Sequence, residues 1–135
     1  MTKNKHIDTY NTIYLIDVVV ANEPVTLEDL KDTYCYSDNE ELDEDITNNI
    51  ATTATCRNKK TNKCCILIKY NHPAEIKGID KKLDLINTIA HESTHAAIDI
   101  FCSIGESINM REGNEAFVYF VGWISECVYK TLMKK

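Results

Sequence analysis

Ile89-Ala90-His91-Glu92-Ser93-Thr94-His95-Ala96-Ala97-Ile98 is the stretch on which the reading of this chain turns. It carries an H-E-x-x-H pattern within residues 80–104, where Leu83, Ile86, Ile89, Ala90, Ala97, Ile98 and Phe101 recur at helical spacing and Gly105 offers a stop. Two histidines four apart lie about 40° apart around a helix and about 6 Å along it. Both imidazoles can then reach one metal ion at Zn–N distances of roughly 2.0–2.1 Å. Glu92, beside the first histidine, is placed to act as a base on a water held there. A match of this kind arises by chance only on the order of a few times in a thousand chains of this size. The plain alternative is a helix with two solvent-facing histidines. Ile89, Ala90, Ala96, Ala97 and Ile98 argue against it, because histidines in apolar surroundings need a partner and a shared cation supplies one.

A catalytic zinc site usually takes three protein ligands and leaves one position for water. No histidine follows His95, and the position six residues on is Phe101, so a three-histidine site of that type is excluded. Carboxylates remain. Arg111-Glu112-Gly113-Asn114-Glu115-Ala116-Phe117 opens a second apolar helix that continues through Val118, Phe120, Val121, Trp123, Ile124 and Val128. Glu115 and Glu112 are the candidates there, and Glu112 also reads as a first-turn acid stabilised by the helix dipole.

From His91 to Trp123 the chain resembles the gluzincins, the thermolysin-like branch of zinc metalloproteases. Their second helix carries the glutamate ligand in an Asn-Glu-Ala context at about this separation, and Asn114-Glu115-Ala116 matches it 20 positions beyond His95. The resemblance thus implies Zn2+ held by His91, His95 and Glu115, with Glu92 as general base in peptide-bond hydrolysis. Two departures stand out. The acidic residue that such enzymes carry four positions after the glutamate ligand is here Tyr119, and their downstream oxyanion-stabilising histidine is missing. Asp99 or Tyr119 can accept the hydrogen bond of a zinc histidine, and Tyr119 can instead donate to a developing oxyanion or simply pack on its helix. The two helices are also similar to small zincin-like proteins encoded by bacteriophages, which would set the protein in a host cell or a virion.

At 135 residues the chain is expected to form a single domain, too small for a full two-lobed protease. The net charge is −6, with no basic patch suited to nucleic acid, and no apolar run approaches the ~18 residues that span a membrane. Without a secretory signal pattern, a cytoplasmic location is the default expectation. The acidic run at residues 38–45 lacks the ligand alternation of an EF-hand and reads as a solvated mobile loop. Six cysteines without a C-x-x-C pair read as free thiols, with a bridge from Cys56 to Cys64 or Cys65 as the alternative. His6 reads as solvated in a polar N-terminus, and His72 lies in a loop that can approach the cleft.

Residues 12–21 read as a strand, Thr26 as the N-cap of a short helix, and residues 50–57 and 63–70 as strands joined by a polar turn. Strands first and two helices last give an α+β domain. By the resemblance this is a minimal zincin-like layout: a small, mainly antiparallel sheet on the H-E-x-x-H helix and a C-terminal glutamate-bearing helix. Its edge strand, assigned to residues 63–70, would pair with extended protein or peptide substrate, although an inner strand reads equally well there. A zinc-binding structural or interaction module without turnover is the competing reading, and an amide of a cell-wall peptide is an alternative substrate.

Overall fold

A computed structural model describes residues 3–72, 78, 80–108 and 114–135. The chain forms strands β1 (Ile7–Tyr10) and β2 (Asp17–Ala21), helix α1 (Leu27–Lys31) and strand β3 (Tyr34–Tyr36). A 3-10 turn at Glu44–Ile46 precedes strands β4 (Ala51–Asn58) and β5 (Cys64–Tyr70), and the long helices α2 (Lys81–Ser103) and α3 (Glu115–Leu132) come last. The class is α+β, as expected.

The five strands make one mixed sheet in the order β1-β2-β5-β4-β3. Every pairing is antiparallel except β2 with β5, whose register sets Val18 beside Ile66 and Val20 beside Ile68. Side chains alternate across a strand, so the sheet builds a core on each face. Val18, Val20, Ile66, Ile68 and Tyr70 meet Ile89, Ala96, Ala97, Ile100 and Phe101 of α2 and Phe120, Ile124, Val128 and Leu132 of α3. Val19, Ala21, Cys65 and Leu67 meet Leu30, Tyr34, Leu42 and Ile46 on the other face. Helix α2 lies over β4 and β5, and α3 over β2 and β1.

Four sequence expectations are corrected. The strand assigned to residues 12–21 is confined to β2, Asp17–Ala21, and residues 12–16 belong to the turn that joins it to β1, which Thr12 holds by donating its hydroxyl to Ile16 O at 2.7 Å. Residues 63–70 are not the sheet's edge. Strand β5 sits between β2 and β4, and its unbroken buried run Cys65–Tyr70 is what burial on both faces demands. The acids of the run at 38–45 are exposed as expected, but the segment is not loose: Leu42 within it is 1% exposed and Glu41 forms a β-bridge with Cys35. His6 is half-buried and its Nε2 lies 3.0 Å from Lys135 O.

Other local readings hold. Thr26 caps α1 through a reciprocal box in which its Oγ1 accepts from Asp29 N–H and the Asp29 carboxylate accepts from Thr26 N–H. All six cysteines are free thiols. Among the described residues no helix is long and apolar enough to cross a membrane.

Candidate metal centre

Asp80 caps α2 by accepting Lys82 N–H at 2.8 Å, and the helix then runs without a break through the histidine motif. At 100° per residue, Ser93, Ala96, Ala97 and Ile100 turn to the core, which carries His91 and His95 to the flank. Both histidines are exposed, so the expectation of apolar surroundings is corrected. Exposure does not part them. Their Nε2 atoms lie 3.2 Å apart, with ring centroids at 4.7 Å and planes at 72°. Two nitrogens bound tetrahedrally at 2.0–2.1 Å to one zinc ion sit about 3.3 Å apart, so the spacing of the pair fits a shared metal.

Glu92, next to His91 in sequence, faces β4 and is 7% exposed. Its carboxylate accepts a hydrogen bond from the Thr53 hydroxyl, and that hydroxyl also lies 3.3 Å from the Glu92 backbone carbonyl. Thr53 stands on β4 opposite Ile68. Between β4 and α2 lies a cleft of about 390 Å³, walled by Ala51, Thr52 and Thr53 on one side and Glu92, His95 and Asp99 on the other. Burial raises the Asp99 carboxyl above the usual carboxylate range, and the neighbouring His95 opposes that shift.

Among the described residues the sheet edge over this cleft has no pairing partner. β3 covers β4 only from Cys56 to Asn58, and Ser37 N–H closes the next position by donating to Thr55 O at 3.1 Å. By strand alternation the N–H and C=O groups of Thr53 and Ala51 point to the same side as those of Thr55. Among the described residues no backbone group meets them there.

Glu115 and Tyr119 do not join the pair. Glu115 is exposed and is the first residue of α3, behind an Asn114 in the left-handed region at φ 39°. Helix α3 packs on α2 at Phe101, against Phe117 at 5.5 Å and Phe120 at 5.8 Å. That flank is about 120° around α2 from His95. Among the described residues no three His, Cys, Asp or Glu side chains gather to hold a metal ion. Two of the three expected donors are therefore together and Glu115 is not with them. Tyr119 is 76% exposed and lines a different groove, with Tyr14, Phe120 and Trp123. Glu112 lies outside the described residues. His72 follows β5 and donates its backbone N–H to Ile50 O at 3.4 Å.

Thr53 escaped the sequence reading, since a threonine in a β-branched run carries no mark of which helix it will face. Lys69 did too. It is 1% exposed within β5, and its Nζ donates to the carbonyls of Asn22, Glu23 and Tyr70. Compared with known proteins, the chain matches no family model, no curated protein and no solved structure.

Proposed function

We propose that the protein is a zinc-dependent peptidase whose working parts are the His91–His95 pair, Glu92 and the edge of β4. The observation that carries this reading is the 3.2 Å spacing of the two imidazole nitrogens beside a buried glutamate, in a cleft under a strand edge that no described residue pairs. Neutral imidazoles suit zinc, and a carboxylate completes the usual catalytic set. The Asn114-Glu115-Ala116 resemblance assigns that third place to Glu115, which α3 would have to bring to the pair. When bound, zinc acidifies a water and polarises the scissile carbonyl.

The chain's own residues do the rest. Glu92 takes the proton of the attacking water and returns it to the departing amine. Thr53 fixes one carboxylate oxygen of Glu92, which leaves the other to carry that proton. An extended peptide pairs its backbone with Ala51 and Thr53, setting its main chain along the cleft that Glu92 and His95 line. This edge replaces residues 63–70 as the proposed substrate strand.

Digestion of a peptide library by the zinc-loaded protein tests the reading. Cleavage that disappears in Glu92→Gln with zinc still bound is the expected result. Equal cleavage by Glu92→Gln overturns the mechanism. A second reading, a zinc-binding interaction module without turnover, draws support from the position of Glu115 away from the pair. It predicts that the zinc-loaded protein cleaves no peptide at all.

A further inference from the structure

We propose that two copies of the chain associate through the turn between β1 and β2 and the groove beside it on α3. At the tip of that turn Ile13 and Leu15 are each 88% exposed. Leu15 also holds φ at 62°, a conformation that crowds the Cβ of an L-residue. Loose chain is not the cause. Tyr14, between the two, packs edge-on against Phe101 at 5.6 Å and Phe120 at 5.2 Å, and Thr12 ties the turn to Ile16. A strained, anchored turn thus presents two large apolar side chains to water. A monomer gains nothing from that arrangement.

Beside the tip lies an apolar groove of about 480 Å³ whose walls include Tyr14, Tyr119, Phe120 and Trp123, with Ile13 on its rim. A projecting apolar knob next to an apolar groove on one face is self-complementary. A two-fold rotation seats the tip of each protomer in the groove of its partner. Among the described residues the groove lining carries no charge, so two chains of net charge −6 meet on it without like charges opposed. Ile13, Leu15 and Tyr119, 88%, 88% and 76% exposed, offer on the order of 500 Å² between them. That is less than the ~800 Å² each partner gives to an ordinary stable interface, which sets the association in the weak, micromolar range. A different protein would have to offer both a knob and a groove in matching places. An anionic lipid surface would repel an acidic chain.

Sedimentation velocity from about 1 to 100 µM tests the proposal, read together with the fluorescence of Trp123, the single tryptophan of the chain. The expected result is a monomer–dimer transition, with Trp123 emission moving to shorter wavelength over the same concentrations. The double variant Ile13→Asp, Leu15→Asp should stay monomeric with an unchanged far-UV spectrum, because both positions face water in the monomer. Tyr119→Lys, on the groove side, should weaken association at least tenfold. A chain monomeric throughout this range overturns the proposal. So does a dimer whose Trp123 emission does not move, since the interface then lies elsewhere. Binding of the monomer to phosphatidylcholine vesicles with a Trp123 shift, without self-association, assigns the face to lipid and equally overturns it.

Discussion

Thr53 on β4 donates its hydroxyl to the carboxylate of Glu92 on α2, joining the sheet edge to the acid of the histidine motif across 39 positions of sequence. The two residues face each other across the cleft, and among the described residues no backbone group pairs with the outer side of Thr53. One residue therefore meets both the proposed substrate and the proposed base.

Removing that hydroxyl has two measurable effects. Thr53→Val leaves a nearly buried carboxylate without its donor and should cost about 1–3 kcal/mol of stability in urea unfolding. In the zinc-loaded protein the same change should lower kcat by roughly tenfold while KM stays put, because Glu92 loses its orientation and the backbone edge is untouched. Thr53→Ser keeps the donor and should restore both. A Thr53→Val protein as stable as the parent would mean that the hydrogen bond contributes nothing.

Zinc titration monitored by calorimetry separates the donors. His91→Ala and His95→Ala should each abolish tight binding, since one imidazole cannot hold the ion alone. Glu115→Ala should weaken binding at least tenfold, and Asp99→Asn by less, if α3 delivers its glutamate to the pair. Unchanged affinity in Glu115→Ala would show that the ion sits on the histidines without that carboxylate, on the α2 flank away from α3.

What the sequence made legible was local. Helix α2, helix α3, the Thr26 cap and the β4–β5 hairpin follow from periodicity and turn chemistry within a short span. β3 did not, because Tyr34–Tyr36 is three residues long and exists as a strand only by pairing with Asn58–Cys56. The inner place of β5 was written in its unbroken apolar run, whereas the resemblance drew it toward the edge. The histidine pair could be read from spacing alone. Which flank of α2 receives α3, and so where Glu115 falls, depends on the packing of Phe101 against Phe117 and Phe120, a tertiary choice that no local pattern states.

Thiol chemistry gives a check on the fold that is independent of any activity. Cys64 and Cys102 are exposed, and Cys35, Cys56, Cys65 and Cys127 are buried. Burial pushes the thiols of Cys56 and Cys65 up, the latter to about 12, and raises Cys127 to about 11, which keeps them protonated as well as covered. Titration of the native protein with Ellman's reagent should show two fast thiols, and six after unfolding in guanidinium. Loss of the fast pair in Cys64→Ser, Cys102→Ser would confirm the assignment. Rapid reaction of four or more thiols in the native state would contradict the packing of both cores.

Lys69 makes stability depend on pH in a direction opposite to that of a paired lysine. Burial lowers its ammonium from the ordinary 10.5 to about 8, against the pull of Glu23 and Asp29, although three carbonyls accept from Nζ. Between these two values the unfolded chain keeps a proton that the folded chain has released. Stability contributed by this group therefore rises with pH from about 8 toward 10.5, by on the order of 3 kcal/mol across the whole window. Tyr70, which burial lifts to about 12, acts in the opposite sense once the pH passes 10. The comparison is therefore made between pH 8 and pH 10 and against Lys69→Met, in which the other groups titrate as before. Relative to that variant, the parent protein should gain about 2 kcal/mol over this interval in urea unfolding. A difference between the two proteins that stays flat with pH would mean that Lys69 keeps its full charge inside the sheet, held by the carbonyls of Asn22, Glu23 and Tyr70.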